Sequence, residues 1–471
     1  MIRTRSRSTI TLGLGFFLGG LLRYHSETHA PVLGRWSYPF FAVIVAAMCA
    51  WLAALIWTWR AARTPPPPVR RPAADLLGLG VLIWGVAYFV AAMDTPAAGG
   101  NVLDGQFFGS GTPAAAVLQW VALLSLSLAV GLLMWRSIPK HWANPMLSVA
   151  ALGAVALVGE GAARFKAVVS PATQGFPTYS TAFWARRHVR LDRDGFRLPA
   201  GTQAPEPGAR RLVLMGDSYA FGVGIARTEE RFGERLVSGL NAATNARWEL
   251  VNLSRSDQDT QQELQVLRAA IPRIEPGPND VVMLLYVFND IDYLAPVIER
   301  TALTEAAHSV LGRLNIERLL FINSFLFQEL YVRWRHAGFR LGYGGMARDP
   351  YADTTLVARH LRDVCALVEL AEKNGSVAAV VPFDVATVLS PTYAARMDGF
   401  TRQAEDEGIP VWRVDQAFAG RPYAALTINS LDGHPNELAN RLAAEALLPR
   451  LLASISSRAH PREPDCRASN P

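Results

Sequence analysis

Cysteine is scarce in this sequence: three among 471 residues, at Cys49, Cys365 and Cys466. Cys49 lies inside an apolar run, so at most one bridge can form, which excludes a disulfide framework. The spacing of the three also excludes a cysteine-based metal site. Charge is thin as well, at 18% of residues. The balance is +6, yet the Lys and Arg residues form no stripe interleaved with aromatics and many sit beside apolar runs. Nucleic-acid binding is therefore not expected.

What the chain has in abundance is apolar residues, 50% of the total, and they are unevenly spread. Before about Ala163 they come in long charge-free runs, and afterwards in short pieces separated by Arg, Asp and Glu. A chain this long exceeds one ordinary core. The expected organisation is a transmembrane helical domain over 1–163, a soluble domain over 164–455 and a polar, disordered tail over 456–471.

Four stretches approach the length of a membrane span: Phe40 to Trp59, Leu76 to Met93, Ala114 to Trp135 and Met146 to Ala163. A fifth, Ser8 to Leu22, is shorter and glycine-rich; no small-residue cleavage site follows it, so it reads as a first span rather than a signal peptide. Arg3, Arg5 and Arg7 precede the first span; Arg60, Arg63, Arg70 and Arg71 follow the second, and Arg136 and Lys140 the fourth. The alternate loops carry only Arg23 and Arg35. This bias places the amino terminus in the cytoplasm and everything after Ala163 outside the membrane. Alanine- and arginine-rich usage points to a bacterium, hence to its inner membrane. Pro65 to Pro68 read as an extended linker. Glu160 is the only carboxylate within the spans: either a functional group in lipid or an interfacial residue reaching water.

From Arg211 onward, apolar strands alternate with helices, the pattern of an open, mostly parallel α/β sheet covered on both faces. Strands are expected at Arg211 to Met215, Trp248 to Leu253, Val281 to Val287, Val377 to Pro382 and Pro410 to Val414. Helices are expected at Arg227 to Ala242, Thr260 to Ile271, Thr354 to Asn374, Ser390 to Glu407 and Pro435 to Ser454. Leu294 to Met346 breaks this rhythm, and its aromatic content suggests an inserted pair of helices over the site or against the membrane.

Ligands of such folds bind beyond the carboxyl ends of the strands. "RLVLMGDSYAFGVG" puts Ser218 at that kind of end, on a strand-to-helix turn that lifts a nucleophile clear of the sheet. The plainer reading is a helix cap, which Asp and Ser both favour. A serine nucleophile needs a base, and "SLDGHPNELANRL" places His434 before the last helix with Asp432 two residues upstream. "LLYVFNDIDYL" ends a strand with Asn289 and Asp290; the amide suits an oxyanion donor, or a strand-ending turn.

The ordered set Gly216-Asp217-Ser218, Asn252 in "VNLS", Asn289-Asp290 and Asp432-Gly433-His434-Pro435-Asn436 resembles the SGNH hydrolases, or GDSL-type esterases, over about Val189 to Leu452. "VRLDRDGFR" is similar to the lead-in of bacterial members. The resemblance implies a flavodoxin-like α/β/α sandwich and ester chemistry through an acyl-serine intermediate, with no metal or organic cofactor. It implies Ser218 as nucleophile, His434 as base and Asp432 orienting it. The oxyanion hole would be the Ser218 N–H, the N–H at a second-block glycine and the Asn289 side chain. Two departures stand out. No glycine occurs between Gly239 and Gly277, and Asp257 takes the second-block position; Leu431 stands three before the histidine, where many members have aspartate. The expected protein is a membrane-anchored esterase or acyl transferase, acting on acyl esters, acetyl above all, of a cell-envelope polysaccharide or lipid-linked substrate. The alternatives are a catalytically silent domain that binds a glycan, or an envelope-assembly factor.

Overall fold

The computed structural model describes residues 2–23, 38–62, 72–93, 117–118, 120–127, 143–174, 178–199, 208–256, 258–291, 293–294, 324–342 and 350–456. The chain forms two compact units. The first comprises Met1–Pro171, Pro177–Arg186 and Leu311–Arg335; the second comprises Ala172–Phe176, Arg187–Val310 and His336–Pro471.

In the first unit the apolar stretches are helical: α1 (Ile2–Arg23), α2 (Tyr38–Ala62), α3 (Pro72–Met93) and α4 (Ala143–Val169). Of the Ala114 to Trp135 stretch, residues 117–118 and 120–127 are described, and they are helical. Among the described residues one helix, Phe41–Arg60, is long and apolar enough to cross a bilayer; Arg7–Leu22 and Leu77–Val86 are shorter apolar helices. Where α1 meets α3, a Cβ on Gly85 would run into the Gly13 carbonyl oxygen, so only glycine lets the two backbones touch. α4 turns apolar side chains outward: Leu152, Val155 and Val158 are 71%, 70% and 68% exposed.

α5 (Tyr179–His188) stacks Tyr179 on Phe325, with ring centroids 4.1 Å apart. Phe325 opens the helix Phe325–Gly342, which lies in the expected insertion; residues 295–323 and 343–349 fall outside the described residues, as do Pro65 to Pro68 and the tail beyond Ser456. Glu160 of α4 is 7% exposed and caps that helix. Its carboxylate accepts from the Ser324 hydroxyl (2.8 Å) and the N–H groups of Phe325 and Leu326 (3.0 Å each), and Arg164 lies 2.7 Å away. An anion among helix amino-terminal N–H groups satisfies donors that the helix itself cannot.

In the second unit, β1 (Arg210–Gly216), β2 (Trp248–Asn252), β3 (Val281–Tyr286) and β4 (Val377–Pro382) form one parallel sheet in the order β2-β1-β3-β4. Strand alternation divides their side chains between two layers. Leu212, Leu214, Met283, Leu285, Ala379 and Val381 pack with α6 (Phe232–Ala243) on one face. Val213, Met215, Leu284, Tyr286, Ala378 and Val380 pack on the other with α7 (Thr260–Ile274), α8 (Thr354–Lys373) and α9 (Pro391–Asp406). Coverage on both faces explains why the central strands read as unbroken apolar runs.

The expected fifth strand, Pro410 to Val414, joins the sheet edge as a single parallel bridge, Val411 to Val380, with the Trp412 N–H donating to the Val380 carbonyl at 2.8 Å. It stops there because Val414 turns helical and Asp415–Phe418 follows as a short 3-10 turn. The chain then makes an antiparallel hairpin, β5 (Thr427–Asn429) and β6 (Asp432–Pro435), before α10 (Glu437–Ser456), which completes the α6 face. Cys365 of α8 is disulfide-bonded, and Cys49 of α2 is free.

Candidate active site

The turn after β1 is built so that its serine is not needed as a cap. Gly216 has φ +150°, and a Cβ there would lie 2.7 Å from the Ala220 Cβ, so the strand can leave the sheet only through glycine. Asp217 is the N-cap of the helical turn Ser218–Phe221: its Oδ1 accepts from the Tyr219 N–H at 2.9 Å. Its Oδ2 accepts from the Ser218 hydroxyl and from the Asn289 Nδ2, both at 3.0 Å. One buried carboxylate oxygen therefore gathers the serine and the asparagine from two different strand ends. An amide nitrogen has two hydrogens, so Asn289 retains one donor beyond the bond to Asp217.

Asn289 is carried by a 3-10 turn, Phe288–Ile291, just past β3. Asp290 in the same turn is wholly buried; its Oδ2 accepts from the Val287 N–H at 3.0 Å, closing the turn on itself. Asn252, at the end of β2, donates to the Ala220 carbonyl at 2.9 Å and accepts from the Ser254 N–H at 3.1 Å. It holds the β2 loop to the nucleophile turn. Asp257 lies outside the described residues.

β6 brings Asp432 and His434 together because residues two apart on a strand share a face. Asp432 Oδ1 accepts from the His434 N–H at 3.0 Å and lies 2.5 Å from its Nδ1. Burial pushes the Asp432 carboxyl up, but the adjacent imidazole and hydrogen bonds from His434 and Thr173 outweigh it and hold the group below the usual carboxylate range. An ionised carboxylate on Nδ1 fixes the tautomer in which Nε2 carries the lone pair that can accept a proton. Tyr219, the residue after Ser218, places its ring 5.7 Å from His434 and donates its hydroxyl to the Gly433 carbonyl at 3.4 Å. The serine turn and the histidine hairpin are thus in direct contact.

Three contributors were not evident in the sequence. Arg197, in the "VRLDRDGFR" lead-in, is buried and donates to the carbonyls of Gly222 (2.6 Å), Ile225 (2.7 Å) and His188 (3.0 Å). Burial and the neighbouring Arg231 bring its pKa down to about 9, so it stays cationic while clamping the loop behind Ser218. Thr173, from the short segment before α5, donates its hydroxyl to Asp432 Oδ2. Behind the site lies a third feature, a set of buried acids. Glu263 has neither carboxyl oxygen partnered, and Asp290 leaves Oδ1 unpartnered. Burial, reinforced by nearby acids, pushes both carboxyls up, and burial takes Asp384 to about 6. No group of three or more metal-ligating side chains occurs among the described residues.

No family model and no curated protein matches the chain. Solved lipolytic hydrolases are similar to it over about half its length. They include a lipase from a goat rumen metagenome, 14% identical over 51% of this chain and 96% of that one, with TM-score 0.35. A member of the lipolytic G-D-S-L family from Veillonella parvula is 13% identical over 51% and 97%, with TM-score 0.31. A two-domain esterase active on acetylated mannans is 12% identical over 55% and 53%, with TM-score 0.33.

Proposed function

We propose that this chain is a membrane-anchored serine ester hydrolase or acyl transferase of the SGNH type. The observation that carries the reading is the juxtaposition of two ready-made parts. One is a serine on a strand-to-helix turn tied through Asp217 to Asn289; the other is an Asp432–His434 pair contacting that turn through Tyr219.

Ser218 Oγ attacks the acyl carbonyl carbon while His434 Nε2 takes its proton, and Asp432 stabilises the imidazolium through Nδ1. The carbonyl electron pair moves onto oxygen, where the Ser218 N–H and the free hydrogen of Asn289 Nδ2 donate to it. A third donor, the Asp257 N–H, follows from the resemblance alone. Collapse expels the alcohol, which receives the His434 proton, and leaves the acyl group on Ser218. Water or a second hydroxyl, deprotonated by the same imidazole, then attacks the acyl-enzyme; water gives hydrolysis and an alcohol gives transfer. No metal or organic cofactor enters these steps.

In the same proposal, the first unit crosses a bacterial inner membrane five times with its amino terminus in the cytoplasm, and the second unit works outside. Arginine placement, the apolar outward face of α4 and the disulfide at Cys365 support this, since disulfides persist in oxidising compartments. A site tethered there meets acyl esters, acetyl above all, on envelope polysaccharides or lipid-linked sugars. The test is hydrolysis of a short aryl acetate by the full chain in detergent, beside Ser218→Ala. Activity lost with the hydroxyl supports the reading; equal rates in the two proteins overturn it.

A further inference from the structure

The carboxylate that faces the histidine is held by more than the histidine. Asp432 and Thr173 are both wholly buried, at 0% exposure, so bulk water does not reach either. Asp432 Oδ1 is committed to His434, through its N–H at 3.0 Å and its Nδ1 at 2.5 Å. Oδ2 receives the Thr173 hydroxyl, and no other described hydrogen bond reaches it. An ionised carboxylate only accepts, so the hydroxyl hydrogen of Thr173 is the donor in this bond.

Thr173 is in turn fixed by the hairpin that carries the pair. Asn429, the cross-strand partner of Asp432, donates its Nδ2 to the Thr173 carbonyl at 2.8 Å and accepts the Leu431 N–H on its Oδ1 at 2.8 Å. Backbone and hydroxyl of Thr173 are therefore both tied to β5 and β6. The need for such a brace follows from the spacing. With the acid only two residues before the base, Oδ1 bonds its own strand's N–H as well as the imidazole, and rotation about the Cβ–Cγ bond would exchange the two oxygens. A donor on Oδ2 from outside the hairpin opposes that rotation.

We propose that Thr173 is a positioning residue of the Asp432–His434 pair, its hydroxyl setting the plane of the Asp432 carboxylate and thereby the orientation of the imidazole. The inference rests on the serine-hydrolase reading given above. It also assigns a role in the catalytic unit to the segment that leaves α4, since Thr173 follows the end of that helix at Val169 by four residues.

The experiment uses the full chain in detergent, with kcat and KM for a short aryl acetate measured across pH for wild type, Thr173→Val, Thr173→Ser and Ser218→Ala. Valine matches threonine in shape and removes the hydroxyl; serine keeps the hydroxyl and removes the methyl. For Thr173→Val we expect kcat to fall roughly tenfold with KM within about twofold, the size expected for a buried anion losing one donor. The acid limb of the profile should move to higher pH, because a carboxylate with one donor fewer attracts the imidazolium more strongly and raises the His434 pKa. Titratable groups packed around the imidazole among the described residues include Asp432 and Tyr219, with Tyr423 against Gly433; burial raises the Tyr219 phenol, which stays neutral through the range. Thr173→Ser should recover most of kcat and restore the limb. A Thr173→Val protein with unchanged kcat and limb overturns the proposal, and so does a Thr173→Ser protein as impaired as the valine variant, which would point to packing. If wild type neither hydrolyses the ester nor is labelled at Ser218 by an alkyl phosphonate, the hydrolase reading falls and this inference with it. If wild type is active, Ser218→Ala is dead and Thr173→Val is normal, only the inference falls.

Discussion

The two units of this chain use apolar side chains in opposite senses. In α6, Phe232, Leu236 and Leu240 point inward and are at most 1% exposed, whereas in α4, Leu152, Val155 and Val158 point outward at 68% to 71%. Their carboxylates differ too. Glu160 in the first unit is surrounded by donors, while Glu263 in the second is buried with no partner on either oxygen. The difference teaches that burial alone does not say what a carboxylate does; the donors around it do. Glu160 is matched by protein donors on both oxygens, whereas Glu263 lies behind the candidate site, where perturbed carboxyls are commonly found.

If chemistry belongs to one unit and anchorage to the other, substitutions should separate the two properties. The largest effect expected is from Ser218→Ala or His434→Ala, each lowering kcat for aryl-ester hydrolysis by at least about 10³-fold with membrane association unchanged. Asp432→Asn should follow, at about 10²-fold to 10⁴-fold, because the amide no longer stabilises the imidazolium. Next comes Glu160→Ala, which takes the carboxylate from Arg164 and from three donors; we expect about 3 kcal/mol lost from the first unit, read as protease sensitivity of the Phe325 helix. Val155→Arg, on the outward face of α4, should reduce the membrane-integrated fraction, with a penalty of about 2.5–3.5 kcal/mol at a span centre, while protein that does integrate keeps its specific activity. No change in the membrane-integrated fraction would break the comparison outright.

The remaining effects concern the buried acids and show only as a dependence of stability on pH. Asp384 has its pKa raised from 3.8 to about 6 in the fold, so the folded state holds the proton more tightly than the unfolded chain. Its favourable contribution is complete below about pH 4 and is lost as pH rises through about 6, up to about 3 kcal/mol in total. Urea midpoints at pH 4 and pH 7 for wild type and Asp384→Asn test this: the variant should gain on wild type as pH rises. Glu263→Gln should behave likewise, since burial raises that carboxyl as well. Asp432, whose pKa is lowered, acts in the opposite sense, so the comparison is between variant and wild type at each pH.

Much of the second unit was legible in the sequence. β1 beyond its two leading arginines, β3 and β4 are apolar because both faces are covered, and α7 opens at Asp259, where a capping box with Gln262 fixes its start. Ser218, Asn289, Asp432 and His434 stood out as polar residues at strand ends or before a helix. The β5–β6 hairpin did not stand out, because its strands of three and four residues are too short and too mixed for an alternating pattern. Glu160 was open between two readings: Arg164 lies one helical turn away, but the Ser324, Phe325 and Leu326 donors that it caps lie more than 160 residues away in the chain.

Local information, then, determined the order of strands and helices, the parity that sorts side chains into two layers, and the Gly216-Asp217-Ser218 turn, because each depends on residues within a few positions of one another. Tertiary structure decided what surrounds that turn. Asp217 joins Ser218 to an asparagine from the turn after another strand, Arg197 locks the loop behind it, and Thr173 reaches Asp432 across 259 positions of sequence. Hydrogen bonds of that range leave no periodicity in the chain, and they form only when the closed fold brings both partners out of water.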